Sequence, residues 1–460
     1  MTARAALLVF AVALLLRLGY VALVHDGTRS LLQPDSELYL TLGRDLVETD
    51  GFNRVTGLGA EPETERVPGY LAWIAAFRLV VGEDALWPVL GQAVLDAATC
   101  VAIALLAARL DRRAARPAGL LAAVNLNMIA AAGVVLTDSL FLAVFALWLL
   151  AGVRLLQRPS AVGALGCGVL LGLATLVRAM TQFLPPVFAL VVFWGAWRAG
   201  TRPARAAGLA LLALVGSLAV TAPHALRNVM AFGHLALTSQ GGTHALFWVV
   251  PAAREFAEGV PFEITQKDMA LRQDRMFPVR SANPFVESDH AMALARAAMA
   301  DMGVVALARA WVSGAAINLA APSVFAVPPV QRLERPSFYA TPGDGLVGKL
   351  VAYVRATGNA TVLSLLCGGV AVTAAARLVQ LVGLIAVRRR LTEPSWLFLL
   401  VVAGYVLAIT GPVTGVKYRL PLEPILSVLM AQGLLALRLP WRTRRAAERP
   451  PATTPPTPRS

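Results

Sequence analysis

The side chains that could do chemistry are concentrated in a few short segments of an otherwise apolar chain. One segment carries the carboxylates of Asp35 and Glu37, and a later one places Glu65 next to Arg66. Asp138 is a further carboxylate with apolar residues on both sides of its segment. A carboxylate can act as a general acid or base, and an arginine beside it can bind an anionic group. The pattern indicates a polar site built from separate segments.

These carboxylates also have a structural interpretation. Asp35 could cap a surface helix, with Glu37 as a favourable charge in its first turn. Asp138 lies between Thr137 and Ser139, and all three residue types are good helix caps. An ionisable residue in an apolar hairpin is nevertheless a functional candidate by default. The residue types alone leave capping and chemistry open.

Several basic residues stand where their neighbours are apolar or uncharged. Arg178 separates two apolar runs, and Lys417 and Arg419 share one short turn. Snorkelling to the membrane interface would explain Arg178, and contact with lipid phosphates would explain the other two. The alternative is that they bind an anionic substrate group such as a phosphate. Arg17 and Arg309 fit snorkelling better still.

Several common kinds of site have no support in the sequence. Nucleotide-binding glycine loops, zinc-protease motifs and hydrolase motifs are absent. The five histidines show no metal-ligand spacing, and the three cysteines lie in apolar runs without a pairing pattern. We therefore expect no required cofactor and assign no residue as a metal ligand, although a divalent metal remains possible.

The composition predicts the environment of these residues. The chain has 460 residues, of which 57% are apolar and 15% charged, and its mean hydropathy is +0.65. These values exclude an ordinary soluble enzyme. Because a membrane-spanning helix needs about 20 apolar residues, the chain can supply about ten spans. The predicted fold class is an all-α polytopic membrane protein, with spans at residues 5–24, 86–108, 118–132, 134–153, 161–177, 181–197, 206–222, 360–387, 396–411 and 422–437.

The charge distribution predicts the orientation. The net charge is +14, and the basic connecting segments and the tail together carry more positive charge than the whole chain. Short basic loops stay in the cytoplasm, so both termini are expected inside and no nucleic-acid partner is implied. The basic segments are residues 109–116, 154–158, 198–205, 388–393 and 438–460.

Two long loops are expected on the outer face. They cover residues 25–85 and 223–359, and loops of such length are usually functional. Each contains an apolar stretch, 67–81 and 302–327, that we expect to lie in or dip into the interface rather than cross it. The membrane-embedded domain is predicted to cover residues 1–440. The remaining basic segment, 441–460, is predicted to be a disordered cytoplasmic tail.

Together these segments resemble the GT-C membrane glycosyltransferases, in particular the bacterial relatives of protein O-mannosyltransferases and of lipid A aminoarabinose transferases. No single segment is specific, but their order, spacing and common outward placement are typical of the family. The matching segments are Pro34-Asp35-Ser36-Glu37-Leu38-Tyr39, Arg66-Val67-Pro68-Gly69-Tyr70, Thr137-Asp138, Leu176-Val177-Arg178, Ala225-Leu226-Arg227-Asn228, Thr238-Ser239-Gln240-Gly241-Gly242 and Tyr418-Arg419-Leu420-Pro421.

The resemblance implies a site and a reaction. A sugar would move from a polyprenyl-phosphate donor to an extracytoplasmic acceptor by an inverting single displacement, in a bacterial cytoplasmic membrane with the site on its periplasmic face. The donor, the acceptor and membrane lipids are the implied partners. Asp35 would be the catalytic base and Asp138 a second catalytic carboxylate. The cations on the donor phosphate would be Arg66, Arg178, Lys417 and Arg419, supported by Glu37, Tyr39, Glu65 and Tyr70.

Other functions compete with this interpretation. A transporter or flippase would also be polytopic and apolar, but transporters concentrate polar groups near the bilayer midplane. A polysaccharide polymerase or ligase would be expected to carry its large outer loop late in the chain, and a scaffold would not need Asp35 and Arg66 together. Neither the sugar nor the kind of acceptor, whether protein, lipid A or envelope glycan, follows from the sequence.

Overall fold

The structure is a computed structural model. It describes residues 1–438 except positions 50, 58, 335, 337, 339 and 340. The tail predicted to be disordered, 441–460, lies outside the described residues.

The first half of the chain alternates long apolar helices with a polar loop region. A short antiparallel hairpin, β1 (Asn53–Thr56) and β2 (Gly59–Pro62), adds a small sheet to the predicted all-α architecture. A 3-10 turn at Thr28–Leu31 precedes it. The helices are α1 (Ala3–Val24), α2 (Ser36–Glu48), α3 (Pro68–Val81), α4 (Leu86–Leu110), α5 (Ala115–Ala123), α6 (Leu126–Ala132), α7 (Asp138–Gln157), α8 (Ala161–Val177), α9 (Leu184–Arg198) and α10 (Pro203–Phe232).

The second half contains the second polar region and four further apolar helices. A π-helical turn at Ala245–Val249 and a 3-10 helix at Val416–Leu422 interrupt the regular helices. The helices are α11 (Gln240–His244), α12 (Val250–Glu258), α13 (Phe262–Met276), α14 (Pro284–Ala320), α15 (Pro328–Gln331), α16 (Gly345–Ala356), α17 (Ala360–Ala386), α18 (Pro394–Thr410) and α19 (Glu423–Arg438).

Seven helical segments of the described chain are long and apolar enough to cross a membrane. The described chain also has four shorter apolar helices, which are α3, α8, α9 and α18. The seven are the helical segments Ala3–Val24, Leu86–Leu110, Asp138–Gln157, Pro203–Phe232, Pro284–Ala320, Ala360–Ala386 and Val416–Arg438. A polytopic helical membrane protein is therefore what the structure shows, while the count of about ten spans stays a prediction.

Two predicted segments differ from the structure in detail. The predicted span 118–132 is divided into α5 and α6, because the side chain of Asn125 accepts hydrogen bonds from the backbone of Asn127 and Met128 and starts a new helix. The predicted interface segment 302–327 overlaps the second half of α14, which continues past a kink at Gly303 where φ is 76°. Glycine adopts this left-handed conformation without strain.

The core of the bundle is aromatic where α7, α9 and α18 meet. The Trp148 ring lies 5.1 Å from the ring of Phe188 and 5.1 Å from that of Phe398. Edge-to-face aromatic contacts of this kind add to the free energy gained by packing apolar area. Glycine allows a close approach of the backbones where α17 and α19 cross. A Cβ atom at Gly383 would lie 1.9 Å from the carbonyl oxygen of Leu429.

Arg17 does not snorkel, and that prediction was wrong. Its side chain is fully buried, and Nε lies 2.7 Å from Oδ2 of Asp96 on α4. The guanidinium also donates to the carbonyl oxygens of Ala122 and Ala123 at the end of α5. The last carbonyls of a helix lack partners within the helix. Arg17 therefore stabilises the interruption between α5 and α6.

Candidate functional site

Asp35 lies directly before α2 but does not cap it. Its side chain makes no hydrogen bond to the helix, and Ser36 instead donates to the carbonyl oxygen of Val135 at 2.7 Å. The carboxylate of Asp35 is 47% exposed and lies 3.4 Å from a guanidinium nitrogen of Arg66. The capping interpretation of Asp35 is not what the structure shows. The carboxylate faces open space and carries one cationic partner.

Arg66 is positioned by a buried carboxylate that sequence reasoning missed. Oε1 of Glu63 accepts the backbone N–H groups of Glu65 and Arg66 at 2.6 and 2.9 Å. Oε2 of Glu63 lies 2.7 Å from Nε of Arg54, while Glu65 pairs with the same arginine at 3.2 Å. Glu63 thus fixes the turn that presents Arg66 to Asp35. Its spacing of three residues from Arg66 was the available signal.

The first turn of α3 is held against α8 and α4. A Cβ atom at position 69 would lie 2.6 Å from the carbonyl oxygen of Leu176, so glycine allows the backbones of α3 and α8 to meet. The Tyr70 hydroxyl lies 2.6 Å from Oε1 of Gln92, whose amide in turn donates to Val134. Tyr70 is therefore a fully buried structural support whose ring packs edge-on against Tyr39.

Asp138 and Arg178 form a second acid–base pair. Asp138 lies in the first turn of α7, Arg178 ends α8, and Oδ1 of the carboxylate accepts a hydrogen bond from Nη1 of the guanidinium. The Asp138 side chain is 5% exposed. Thr137 makes no side-chain cap bond to α7. The partner of Arg178 is thus a protein carboxylate, and snorkelling does not explain this arginine.

Tyr39 joins the two pairs into one site. It interacts electrostatically with Asp35, Arg66, Asp138 and Arg178, and the guanidinium of Arg66 lies 5.6 Å from its ring centre. Burial raises the pKa of the Tyr39 phenol, against the opposing effect of the two arginines. The phenol is therefore a neutral hydrogen-bonding group between two ion pairs.

The last polar turn exposes Lys417 and buries Arg419. Lys417 is exposed, whereas Arg419 is buried, and Nε of Arg419 lies 2.8 Å from Oε1 of Glu423. Arg419 also donates to the carbonyl oxygen of Asn318 at 3.1 Å and to the Ser323 hydroxyl at 2.7 Å. The contacts of Arg419 are therefore internal, and its side chain is not brought into the site.

Glu423 organises this turn and was missed by the sequence analysis. Its carboxylate accepts from Asn125 at 2.8 Å and from Asn127 at 3.3 Å, next to its bond from Arg419. Asn127 also donates to the carbonyl oxygen of Val416, directly before Lys417. The break between α5 and α6 therefore holds the turn that carries Lys417. No local pattern connects residues so far apart in the chain.

The predicted supporting residues fall in different places. Tyr39 and Tyr70 are brought together with the acid–base pairs, as described above. Glu65 faces Arg54 at the edge of the hairpin and is 44% exposed. Glu37 lies exposed in the first turn of α2, consistent with a favourable charge at a helix start.

The second outer region is bound to the first. Arg227 on α10 donates to the carbonyl oxygens of Glu63 and Phe52, each at 2.6 Å. The backbone N–H of Ser239 donates to the carbonyl oxygen of Thr64 at 2.8 Å. The sequence analysis singled out both segments by their resemblance to the family. It did not predict that they contact the first outer region. They hold the turn that carries Arg66.

The chain is similar to known proteins in sequence and in fold. Residues 66–226 match the family model described as dolichyl-phosphate-mannose-protein mannosyltransferase, a range that contains Arg66, Asp138 and Arg178. No curated protein matches the chain by sequence. A solved structure of the archaeal oligosaccharyltransferase AglB from Archaeoglobus fulgidus, in complex with an inhibitory peptide and a dolichol-phosphate, aligns at a TM-score of 0.55. Its sequence identity is 13%, and the alignment covers 96% of this chain and 51% of that chain.

This chain has the fold of the GT-C membrane glycosyltransferases. The predicted resemblance is thereby confirmed. The apo form of the Archaeoglobus fulgidus enzyme gives the same result, with a TM-score of 0.56, 14% identity, and coverage of 96% of this chain and 52% of that chain. The chain spans about half the length of AglB. ArnT from Cupriavidus metallidurans, bound to undecaprenyl phosphate, aligns at 17% identity over 93% of this chain and 77% of that chain, but its TM-score of 0.38 is too low to support an argument.

The described part of the chain contains no group of three or more His, Cys, Asp or Glu side chains arranged to hold a metal ion. Asp35 and Asp138 each have an arginine partner instead. The expectation about metals stays a prediction.

Proposed function

We propose that this protein transfers a sugar from a polyprenyl-phosphate donor to an acceptor hydroxyl or amine by an inverting single displacement. The observation that supports it best is the pair of acid–base contacts around Tyr39, Asp35 with Arg66 and Asp138 with Arg178. All five side chains lie where α1 ends and α4 and α7 begin, at one end of the bundle. A phosphate-linked sugar needs such a site, because its departing phosphate requires positive charge while its acceptor requires a base.

In the proposed reaction, the acceptor proton and the electron pair of the broken bond move to different groups. The acceptor oxygen or nitrogen attacks the anomeric carbon and forms the new bond while the bond from that carbon to the phosphate oxygen breaks. The electron pair of the broken bond stays on the phosphate, where Arg66, Arg178 and Lys417 offset the added negative charge. The acceptor proton moves to Asp35, whose exposed carboxylate can reach an incoming group.

Asp138 has a different part in the proposal. Its carboxylate is buried and bonded to Arg178, so it has little access to an acceptor proton. We assign it the role of orienting Arg178 towards the donor phosphate. These steps use side chains alone, and adding a chelator tests whether a divalent ion is also required.

The donor class is supported by the family match, whose description names a dolichyl-phosphate sugar. A polyprenyl phosphate is anchored in the bilayer, which suits a protein with seven candidate membrane helices and a polar site at one end of them. The charge distribution supports placing this end on the periplasmic face of a bacterial cytoplasmic membrane, with both termini cytoplasmic.

A transporter or flippase remains the competing function, and one observation bears on it. The Arg17–Asp96 pair lies within the bundle, where a transporter would place charged groups. However, both side chains are fully buried, and Arg17 is held by three further backbone carbonyls on α1 and α5. Such a fixed and enclosed pair suits a structural role better than a substrate path.

Reconstitution of the purified protein with a panel of polyprenyl-phosphate sugars tests the proposal. We expect mass spectrometry to detect released polyprenyl phosphate and a glycosylated acceptor, with protein, lipid A and envelope glycan fractions offered as acceptors. Release of the lipid phosphate would identify the donor sugar first. Movement of intact donor across liposomes without release of polyprenyl phosphate would instead favour the flippase.

A further inference from the structure

One polar side chain of α4 is fully buried beside the candidate site and has no part in the proposed reaction. Gln92 lies near the start of α4, and none of its side chain is exposed. Burying an amide among apolar helices costs free energy unless its donor and its acceptor both find partners. Oε1 of Gln92 accepts a hydrogen bond from the Tyr70 hydroxyl at 2.6 Å, and Nε2 donates to the carbonyl oxygen of Val134 at 2.8 Å. A carbonyl oxygen can only accept, so these partners fix the orientation of the amide.

The oxygen end of the Gln92 amide leads to the first acid–base pair. Its partner Tyr70 lies in the first turn of α3, and the Tyr70 ring packs edge-on against Tyr39 with the ring centres 5.2 Å apart. The guanidinium of Arg66 in turn lies 5.6 Å from the ring centre of Tyr39 and 3.4 Å from the Asp35 carboxylate. The bond from Tyr70 to Gln92 therefore fixes the aromatic ring on which this pair rests.

The nitrogen end of the amide leads to the second acid–base pair. Val134, which accepts from Gln92, belongs to the short segment between α6 and α7, and α7 begins at Asp138. The same segment is bound from the other side, because the Ser36 hydroxyl at the start of α2 donates to the carbonyl oxygen of Val135 at 2.7 Å. The backbone before Asp138 is thus held between α4 and the helix that follows the proposed base.

We propose that Gln92 is a positioning residue that holds the two acid–base pairs in one arrangement during sugar transfer. The inference rests on the proposed function. Because Gln92 is fully buried, it acts through Tyr70 and Val134 and does not contact the donor or the acceptor. The base and the cations on the phosphate act on different sides of the anomeric carbon, so a small displacement of one against the other lowers the rate strongly. Each pair can still bind its own ligand group, so the loss should appear in kcat rather than in KM.

Gln92→Leu in the reconstituted full-length protein tests this inference. The probe is the sugar of the polyprenyl-phosphate panel that the wild type uses fastest, starting with polyprenyl-phosphate mannose. Leucine is similar in size and removes both hydrogen bonds, so we expect kcat to fall about tenfold or more while the KM for the donor changes less than about twofold. Thr99→Val is the matched control, since Thr99 is a buried polar residue of α4 whose hydroxyl bonds only to the carbonyl oxygen of Leu95 in the same helix. Its kcat should equal that of the wild type.

A double variant separates positioning from stability. Tyr70→Phe removes only the hydroxyl and leaves the bond from Gln92 to Val134, so its kcat should fall less than that of Gln92→Leu. The double variant should melt at a higher temperature than Gln92→Leu, because no buried hydroxyl is then left without an acceptor. Its kcat should nevertheless stay as low as that of Gln92→Leu, since the segment before Asp138 is still unbound from α4. Recovery of kcat together with the melting temperature would mean that Gln92 acts through stability alone, and would overturn the inference.

The outcomes separate the inference from the proposed function. If the wild type transfers sugar and Gln92→Leu has the same kcat, the role of Gln92 is wrong and the proposed function stands. A raised KM with an unchanged kcat would also overturn the inference, because it would assign Gln92 to donor binding. If Gln92→Leu gives no folded protein, Tyr70→Phe carries the test, and a wild-type kcat in that variant would count against the inference. If the wild type transfers sugar from no donor of the panel, both are wrong.

Discussion

Asp35 and Arg66 form an ion pair in which the carboxylate stays partly exposed to solvent. Their closest atoms are 3.4 Å apart, and Asp35 keeps about half of its side chain exposed while Arg66 is mostly buried. An ion pair with one partly exposed partner contributes little to stability, so Asp35 can exchange Arg66 for a substrate group. The buried Asp138–Arg178 pair, in contrast, is a fixed part of the site.

Asp35→Asn should abolish sugar transfer while the protein still folds. The amide has nearly the same shape but cannot accept the acceptor proton, and loss of a general base lowers the rate by about 100-fold or more. The reconstituted transfer rate and the melting temperature measure the two effects. Asp26→Asn, an exposed carboxylate of the same loop, is the control. Full activity of Asp35→Asn would remove this carboxylate from the mechanism.

Glu63→Gln should disturb the position of Arg66. The buried carboxylate accepts hydrogen bonds from two backbone N–H groups and from Arg54. In Glu63→Gln the side-chain NH2 group would face one of these donors, and that hydrogen bond would be lost. A lost hydrogen bond to a charged group costs about 1.5–3 kcal/mol. We expect a lower melting temperature and a raised KM for the donor. Glu61→Gln, exposed on β2, should change neither, and equal behaviour of the two variants would contradict the role of Glu63.

At the scale of elements, the site depends on two unusual helix contacts. The start of α3 touches the end of α8 through Gly69, which places Tyr70 and Arg66 near Arg178. The interruption between α5 and α6 presents Asn125 and Asn127 to Glu423 and so holds the turn that carries Lys417. Neither contact includes a residue that would touch the substrate.

Gly69→Val should separate α3 from α8. Its Cβ atom would lie 2.6 Å from the carbonyl oxygen of Leu176, and overpacking of this kind costs about 1–3 kcal/mol. Reduced transfer together with a lower melting temperature is the expected result. Gly19→Ala, where a Cβ atom meets nothing within 4 Å, should leave both unchanged. Wild-type activity in Gly69→Val would show that the close approach of α3 and α8 is not needed.

Arg17→Met should destabilise the bundle strongly. It leaves Asp96 buried without a cation and the end of α5 without a donor, and removing one partner of a buried pair costs about 3–5 kcal/mol. Thermal unfolding in detergent measures the loss. Arg4→Met, an exposed arginine at the start of the same helix, is the matched control. A melting temperature of Arg17→Met equal to that of the control would mean that Arg17 does not hold α5.

At the scale of the whole molecule, two polar regions far apart in sequence meet at one end of an apolar bundle. Arg227 and Ser239 bind the backbone of the first region. The opposite end carries the arginine-rich connections between the helices. This polarity supports the proposed placement of the site on one face of the membrane.

Cysteine labelling tests the orientation that follows from this polarity. Glu61→Cys in the hairpin should react with a membrane-impermeant reagent added outside, whereas Arg112→Cys in a basic connection should react only after the membrane is opened. Both positions are exposed in the structure. The exposed native Cys367 is first replaced by alanine, since Cys100 and Cys167 are buried. The reverse labelling pattern would overturn the proposed topology.

The sequence by itself determined the fold class. It also singled out the segments in which the candidate site residues lie and predicts an orientation. Hydropathy and charge are sums over neighbouring residues, so they can be read without knowing the fold. The resemblance to GT-C proteins, which the structure confirmed, likewise rests on short local segments.

Only the tertiary structure decided what each charged residue does. Arg17, Arg178 and Arg419 have similar apolar surroundings in the sequence, yet one joins two helices, one belongs to the site and one is bound internally. Glu423 gave no signal that set it apart, because its partners Asn125 and Asn127 lie about 300 residues earlier in the chain. The physical reason is that the role of a charge inside an apolar bundle depends on the partner that compensates it. Most of these partners lie tens or hundreds of residues away along the chain.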